Sequence, residues 1–475
     1  MFIIFSLPLL FTLPLARANS SSLASCLSDN DLTVEGPENS TWATSTTPFN
    51  MRFHYVPNGI VYPTQTSDIS KAVKCAVKFG LHVSALSGGH SYSASGYGSR
   101  NGALVLNFRD MSQVDYDASD ETATIQPGAR LGDVALELDK YGRALAHGFE
   151  IGGHAGFGGW GFASRIWGLL IDQLVAANIV LPNGTAAIRG AASSFGIISQ
   201  YIFKTHEAPS SVVRYSLSFS NPDLSADKFT QLLNSYQSWG RTAPKELGME
   251  ANVFQGGRVV ELGGYYMGST ADFKGIFNSL LRETGPPNDT YVQERSWIAA
   301  LVEVNGGSPL STKGQPDTHA TFFAKSLVVP TASPLTNSSL SELAKSFAKT
   351  KIPSTLSWFI QFELWGGGDS VISSIPTTAT AYPHRAHLWT IQFYAYSNTT
   401  WPSEGTIFVN GLVSTITDNT KGTKFGAYAN YLDPTLTAWR EKYYAGNYAR
   451  LANLQEQIDP NGVFMKAQNI GALDF

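Results

Sequence analysis

Apolar and polar positions in the first half of the chain alternate between strand-like and helix-like patterns. The run Asp68–Val77 has apolar residues at i, i+3, i+4, i+7 and i+8, and Gly80 follows where a helix C-cap belongs. This spacing predicts an amphipathic helix. A second helix is expected at residues 131–138. Short apolar runs bounded by turn residues predict strands at residues 81–86, 103–107 and 123–129.

The pattern of apolar and polar residues changes at about residue 207, where longer amphipathic stretches begin to separate the apolar strands. Helices are predicted at Ser225–Trp239 and Ser339–Ala348. Strands are predicted at residues 212–218, 257–267 and 388–394. This order favours an α+β fold. A chain of 475 residues exceeds the usual size of one hydrophobic core, so two domains are expected.

The N-terminus carries the features of an exported protein. Residues 1–15 form an apolar run before Ala16-Arg17-Ala18, which predicts a signal peptide (residues 1–18) cleaved after Ala18. The two cysteines of the chain, Cys26 and Cys75, fit one disulfide in an oxidising compartment, the alternative being two unpaired buried thiols. Glycosylation sequons stand at Asn39, Asn183, Asn288, Asn337 and Asn398. A secreted glycoprotein is expected.

Charge and composition narrow the classes of partner. The net charge is −4 and 15% of the residues are charged, which gives no support to nucleic-acid or anionic-membrane binding. No zinc-ligand spacing, phosphate-binding Walker loop or serine-elbow run is present, so we expect no metal. A monomer that acts on a small molecule is the expectation.

Two glycine-rich runs carry the candidate chemistry. The first, Leu86-Ser87-Gly88-Gly89-His90-Ser91-Tyr92, ends a predicted strand, and the second spans Gly152–Gly161. Glycines let backbone N–H groups approach a bulky anion such as a pyrophosphate, although either run alone is a weak signal. A nicotinamide dinucleotide is disfavoured, because neither run lies between a strand and a helix with an acidic residue about 20 positions on.

In this order, and followed by Gly168–Asp172 and Asn178–Gly184, the runs resemble the FAD-binding domain of the berberine-bridge-enzyme-like flavoproteins. These flavoproteins belong to the vanillyl-alcohol-oxidase superfamily. Within it, the chain most resembles the secreted fungal oligosaccharide oxidases. It implies a two-domain α+β fold of the PCMH type with a discontinuous FAD domain. The implied parts are an FAD-binding domain at 19–206, an antiparallel-sheet substrate domain at 207–424 and a tail at 425–475 that returns to the FAD domain.

The resemblance also implies that FAD is bonded covalently to His90, the alternative being a histidine that caps a glycine turn. Many members have a second, cysteinyl link, but the stretch after Ala146 contains no cysteine, so one link is expected. The family's strand and acidic helix are expected to be missing after Thr185, either because the lineage lost them or because the sequence lacks an exon-sized piece. Further FAD contacts are implied at Ser87, Gly88, Gly89, Ser91, Tyr92, Gly152, Gly153, His154, Gly158, Gly159, Gly161, Ile179 and Asn430.

In the same family, the tyrosine of an Asn-Tyr-x-Asp run is the general base, which makes Tyr431 the candidate here. A tyrosine needs a partner to share the proton at neutral pH. The partner position falls at Glu363, where the family has an aspartate. Tyr431 as a packed aromatic and Glu363 as an ion-pair partner of Arg385 remain alternatives. The substrate side is implied at Tyr92, Trp358, Phe359, Gln361, Trp365 and Gln392, the alternative being that half of these residues are core.

The expected reaction transfers a hydride from an alcohol, amine or carbon skeleton to flavin N5, followed by reoxidation with O2 to give H2O2. The glutamate at position 363 and the missing cysteine favour a fungal secondary-metabolite intermediate as the substrate. The alternatives are an oligosaccharide oxidised at C1 and a secreted binding protein that has lost its flavin.

Overall fold

The computed structural model describes residues 22–146, 151–184, 186–188, 194–220, 225–254, 256–257, 259–313, 315, 317–349 and 352–471. The predicted signal peptide and its expected cleavage site after Ala18 lie outside these ranges, as do residues 147–150 and 189–193. None of the helices in the described ranges has the length and apolar character needed to cross a bilayer.

The first described elements build a small sheet in the order β1-β2-β4-β3. They are α1 (Leu23–Ser28), β1 (Val34–Glu35), α2 (Trp42–Ser45), β2 (Gly59–Val61), α3 (Thr66–Lys78), β3 (Val83–Leu86) and β4 (Leu104–Asn107). Both β2 and β3 run parallel to β4. The crossover helix α3 buries Ile69, Ala72, Val73 and Ala76 against this sheet, as its apolar spacing predicts. Gly80 ends the turn after α3 at φ +66°.

A second, antiparallel sheet follows in the order β5-β6-β10-β8-β9. This region contains β5 (Val114–Asp117), β6 (Thr122–Ile125), α4 (Leu131–Asp139), β7 (Arg143–Ala144), α5 (Ile151–Phe157), α6 (Ser164–Trp167), β8 (Leu174–Val180), β9 (Ala186–Ile188), β10 (Ile197–Lys204) and β11 (His206–Glu207). The prediction that a strand is missing after Thr185 is wrong, because the three residues of β9 pair with the end of β8.

The largest sheet is antiparallel and has the order β15-β12-β14-β13-β17-β18-β16 among the described residues. The elements here are β12 (Val212–Ser220), α7 (Ala226–Gly240), β13 (Leu247–Phe254), β14 (Val259–Tyr266), α8 (Thr270–Thr284), β15 (Asp289–Arg295), α9 (Trp297–Val304), β16 (Thr321–Pro330), α10 (Asn337–Lys349), β17 (Leu356–Leu364), α11 (Val371–Ser374), β18 (His387–Ser397) and α12 (Ser403–Asp418). The predicted α+β fold with a large antiparallel sheet is confirmed.

Alternation along the strands gives this large sheet two unlike faces. On β17, Trp358, Ile360 and Phe362 point into an apolar core shared with α7, α10 and α12. The intervening residues, including Gln361 and Glu363, point to the opposite face, which we call the open face of the large sheet. Trp358 therefore belongs to the core, and its prediction as a substrate-side residue is wrong.

The C-terminal tail crosses from the large sheet to the small one. It contains a 3-10 turn at Ala429–Tyr431, then α13 (Trp439–Tyr444) and α14 (Tyr448–Ile458). Beyond α14, the Val463 carbonyl accepts the Val83 N–H at 2.8 Å, so the tail lies against β3.

The predicted disulfide between Cys26 and Cys75 is present and ties α1 to α3 across 49 residues of sequence. Breaking it with the double substitution Cys26→Ser and Cys75→Ser is expected to lower the free energy of unfolding by about 4 kcal/mol, because the unfolded chain regains loop entropy. Urea unfolding of the variant and of the oxidised parent measures the difference. An unchanged midpoint would show that the cross-link contributes no stability.

Candidate active site

A cavity of about 1070 Å³ lies between the small sheet, the open face of the large sheet and the C-terminal tail. Its wall includes the glycine turn that follows β3, the end of α5, polar residues of β13 and β17, and the 3-10 turn of the tail. This volume is at the upper end of the range for small-molecule and cofactor sites, so it suits a ligand as large as a dinucleotide.

The glycine turn offers a row of backbone donors to this cavity. Ser87, Gly88, Gly89, Ser91 and Tyr92 all line it, and among the described residues their N–H groups have no hydrogen-bond acceptor. Gly89 has a φ of +85°, a conformation that favours glycine. Successive unpaired N–H groups in such a turn form an anion-binding concavity.

His90 lies at the end of this turn with its ring stacked on Phe49, the ring centroids being 4.3 Å apart. Burial lowers the pKa of His90 to about 4, and the positive charge of Arg130 acts in the same direction. The imidazole is therefore neutral at physiological pH and keeps a nitrogen lone pair for bond formation.

Tyr431 and Glu363 form a short hydrogen bond in the cavity wall. The Tyr431 hydroxyl donates to Glu363 Oε1 at 2.5 Å, and Trp365 Nε1 donates to Glu363 Oε2 at 2.8 Å. The two residues are 68 positions apart in sequence and come from the 3-10 turn and from β17. The glutamate at this position therefore reaches the tyrosine.

Burial raises the pKa of Glu363 to about 8 and that of Glu250 to about 7. Glu250 is the register partner of Glu363 on the neighbouring strand β13, and it accepts hydrogen bonds from Gln361 at 2.7 Å and from Asn252 at 2.9 Å. Like charges directly opposite each other destabilise a sheet, so this pair is typical of a functional site rather than of a structural one.

The alternative ion pair between Glu363 and Arg385 is wrong. The Arg385 guanidinium forms two hydrogen bonds with the Asp172 carboxylate, at 2.7 and 2.8 Å, and both side chains are buried. Asp433, the last residue of the Asn-Tyr-x-Asp run, pairs with Lys325 of β16 at 2.5 Å. This second pair anchors the turn that carries Tyr431.

The second glycine run differs from a simple phosphate loop, because it starts inside the short helix α5, which includes Gly152 and Gly153. Gly159 donates its N–H to the Tyr428 hydroxyl at 2.9 Å, and a Cβ on Gly158 would lie 3.0 Å from the Tyr428 ring. These two glycines let the tail approach closely and do not line the cavity.

Several other predicted cofactor residues do lie in the cavity wall, namely His154, Gly161 and Asn430. Asn430 donates to the Tyr428 hydroxyl at 2.7 Å and to the His154 carbonyl at 3.4 Å, which links the tail to α5. Ile179 of β8 is buried in the core of the second sheet and lies outside the wall.

Of the predicted substrate-side residues, Tyr92 and Gln361 line the cavity. The Tyr92 ring lies nearly parallel to the Tyr431 ring with their centroids 5.8 Å apart. Gln392 supports Tyr92 from behind by donating to its hydroxyl at 2.8 Å. Phe359 also lies behind the wall, stacked on Tyr394. Trp365 is buried; it donates to Glu363 and its ring packs on Trp160 and Tyr428 of the wall.

The wall residues that sequence reasoning missed include Phe49, Glu250 and Lys466. The alternation of β13, in which Met249, Ala251 and Val253 face the core, would have placed Glu250 on the open face beside Gln361. No local pattern signals Phe49 or Lys466, since both reach the cavity through long-range packing.

The wall therefore fits FAD. A dinucleotide-sized cavity, a turn with unpaired N–H groups for a diphosphate and a neutral histidine at the end of that turn occur together. The hydrogen-bonded pair Tyr431 and Glu363 lies in the same wall, at the open face of the large sheet.

Comparison with known families and proteins agrees with this geometry. The family profile described as FAD binding domain matches residues 57–188, and the one described as berberine and berberine like matches residues 427–471. The first match contains the glycine turn and His90. The second contains Tyr431 and Lys466.

Three curated relatives align over almost the whole chain. Glucooligosaccharide oxidase of Sarocladium strictum is 32% identical over 94% of this chain and 93% of its own length. Chitooligosaccharide oxidase of Gibberella zeae is 32% identical over 94% of each. The FAD-linked oxidoreductase dpmaF of Metarhizium anisopliae is 33% identical over 95% of this chain and 91% of its own.

Solved structures give the same picture. Xylooligosaccharide oxidase from Myceliophthora thermophila, in complex with xylobiose, superposes with a TM-score of 0.88 at 31% identity, covering 96% of this chain and 100% of that one. Glucooligosaccharide oxidase from Acremonium strictum superposes with a TM-score of 0.88 at 30% identity, covering 96% and 100%. The flavin of that second protein is described as a 6-S-cysteinyl, 8α-N1-histidyl FAD.

Proposed function

This chain belongs to the berberine-bridge-enzyme-like FAD-linked oxidoreductases, and from that premise we propose that it is an oligosaccharide oxidase that oxidises the C1 hydroxyl of a reducing sugar to a lactone. The observation that carries the proposal is the 2.5 Å hydrogen bond from Tyr431 to Glu363 in the wall of the cavity that fits FAD. When bound, FAD accepts a hydride from the substrate and passes two electrons to O2, which yields H2O2.

The residues of the chain supply the proton transfer. Tyr431 Oη accepts the proton of the C1 hydroxyl while its own proton moves to Glu363 Oε1 along the existing hydrogen bond. Trp365 Nε1 holds the other carboxylate oxygen and so fixes the side chain of Glu363 toward Tyr431. The hydride leaves C1 as the hydroxyl loses its proton, which completes a two-electron oxidation.

The residues at the open face favour a carbohydrate as the substrate. Glu250 and Gln361 offer polar atoms that can bond sugar hydroxyls, and the face of the Tyr92 ring can pack on the apolar face of a pyranose. Two of the relatives that align over almost the whole chain are named oligosaccharide oxidases. The preference for a secondary-metabolite intermediate, drawn from the sequence, is therefore not supported.

A single covalent link through His90 is the form of attachment that we propose. The chain has two cysteines, and both are in the disulfide between α1 and α3. No thiol is left for the cysteinyl link described for the relative from Acremonium strictum.

The proposal is tested by incubating the purified protein with cello-, malto-, xylo- and chito-oligosaccharides in air. We expect equal amounts of H2O2 and of the aldonic acid that forms when the lactone hydrolyses, from at least one series. If small alcohols or amines give H2O2 and no sugar does, the result would support a secondary-metabolite intermediate as the substrate. A purified protein without flavin would favour the binding-protein alternative.

The rate of flavin reduction at low sugar concentration is expected to rise with pH up to about pH 8. Because burial raises the pKa of Glu363 to about 8, its carboxyl is protonated below that pH and cannot accept the proton of Tyr431. Between pH 6 and 8 the rise is about fiftyfold for a single titrating group. Anaerobic stopped-flow measurement gives this profile.

Glu363→Gln is expected to abolish this pH dependence, whereas Glu250→Gln keeps it and moves it slightly to lower pH, because one nearby negative charge is removed. The same acidic limb in Glu363→Gln as in the parent would assign the titration to another group.

Glu250→Gln is expected to raise the KM for oligosaccharides roughly 10- to 100-fold, the loss expected for a hydrogen bond to a charged acceptor. The reduction rate at saturating sugar should change little, because Glu250 bonds Gln361 and Asn252 and does not contact Tyr431. Glu261→Gln, on β14 of the same sheet and outside the wall, is the matched control. An unchanged KM would remove Glu250 from the sugar site.

Export of the protein is also proposed. The supporting observations are the apolar N-terminal run, the disulfide, and the exposed positions of the sequon asparagines Asn39, Asn183, Asn288, Asn337 and Asn398. Treatment with an endoglycosidase and N-terminal sequencing of protein from the culture medium test it. A glycan-free protein retained in the cell with an intact Met1 would overturn it.

A further inference from the structure

Lys466 is a buried cation in the wall of the flavin cavity. The residue is only 7% exposed. Among the described residues its ammonium group has neither a hydrogen-bond acceptor nor a carboxylate partner, and burial alone lowers its pKa to about 8. Keeping an unpaired ammonium in a protein interior is costly, so this position favours a ligand that brings a negative charge.

The path of the tail fixes Lys466 relative to the glycine turn. Just before it, the Gly462 carbonyl accepts a hydrogen bond from His82 Nδ1 at 2.9 Å, and the Val463 carbonyl accepts the Val83 N–H at 2.8 Å. Val83 begins β3, and β3 leads directly into the turn that starts at Ser87. Lys466 is therefore held by the strand whose end carries the unpaired N–H groups.

The other described arginine or lysine in the cavity wall is already neutralised. Arg130 forms an ion pair with Asp317 and also donates to Thr312. Among the residues that the structure describes, Lys466 is therefore the cation of the wall that has no protein counter-ion. It is the group with which an anionic ligand in the cavity can pair.

Oxidised FAD has one anionic group, its diphosphate. We propose that Lys466 would be the counter-ion of this diphosphate, together with the N–H groups of the glycine turn. An anion at this place raises the lysine pKa again and keeps the ammonium charged. The inference rests on FAD as the cofactor and is independent of the oligosaccharide substrate of the proposed function.

The test uses full-length, flavin-free protein with His90→Ala, so that flavin binding is reversible, and follows quenching of flavin fluorescence. Lys466→Met in this background is expected to weaken FAD binding at least tenfold and to leave the binding of riboflavin, which has no phosphate, unchanged. Lys466→Arg is expected to restore most of the FAD affinity. Equal losses for FAD and riboflavin, or no loss for either, would overturn the proposal.

Stability of the flavin-free protein provides an independent check. Lys466→Met is expected to melt at the same temperature as its parent or higher, because a thioether side chain of similar length replaces an unpaired buried charge. A lower melting temperature would show that the ammonium is stabilised within the protein itself, and this would also overturn the proposal. Neither readout depends on sugar oxidation.

Discussion

Replacing Tyr431 with phenylalanine is expected to slow flavin reduction by sugar about 10³-fold, within the range that a positioned general base contributes. The substitution removes the one hydroxyl that bonds Glu363 Oε1 and leaves the ring in place against Tyr92. The flavin content and the unfolding temperature should not change. The rate is measured by anaerobic stopped flow, which separates flavin reduction from reoxidation.

Tyr394→Phe is the matched control for this experiment. Tyr394 lies close to the same aromatic group, 6.1 Å from the Tyr92 ring, but its hydroxyl bonds neither Tyr431 nor Glu363. It should reduce the rate by no more than a few-fold. Equal effects of Tyr431→Phe and Tyr394→Phe would show that Tyr431 is a packed aromatic residue and not the general base. This is the alternative stated in the sequence analysis.

All of the flavin is expected to be covalently bound in the parent protein and none of it in His90→Ala. The parent protein should keep its yellow colour in the pellet after acid precipitation, whereas the variant should release all flavin to the supernatant. The physical basis is the neutral imidazole, since a pKa near 4 leaves the ring uncharged, as bond formation to the flavin requires, from pH 6 to pH 9.

The control is His154→Ala, which changes another histidine of the same wall. It should retain covalent flavin. Flavin that stays in the pellet with His90→Ala would assign the link to another side chain, and flavin released from both variants would make the loss a general effect on the site.

Local sequence patterns predicted the elements that depend on their own periodicity. The helix predicted at 68–77 is observed at Thr66–Lys78, and Ser225 caps α7 at the start of the predicted stretch. The helical form of the second glycine run could not be predicted, because glycine disfavours helix, and in the structure this helix, α5, contacts the tail through Asn430. The core position of Trp358 follows from the alternation along β17, which the prediction of a substrate-side role did not use.

Contacts between distant residues could not be derived from local pattern. Arg385 and Asp172 are 213 positions apart, and nothing near either residue distinguishes this pair from a pair with Glu363. The pairing of Tyr431 with Glu363 was reached through the family resemblance. Lys466 and Phe49 had no signal, because their importance arises where separate elements enclose the cavity.

The most direct test of the account is anaerobic mixing of the flavin-loaded protein with a reducing oligosaccharide, its C1-deuterated form and its alditol, which lacks the C1 hemiacetal. We expect rapid bleaching of the flavin by the sugar, slower bleaching by the deuterated sugar, and none by the alditol. Equal bleaching by the sugar and the alditol, or a flavin that stays oxidised with every reducing sugar, would contradict oxidation at C1.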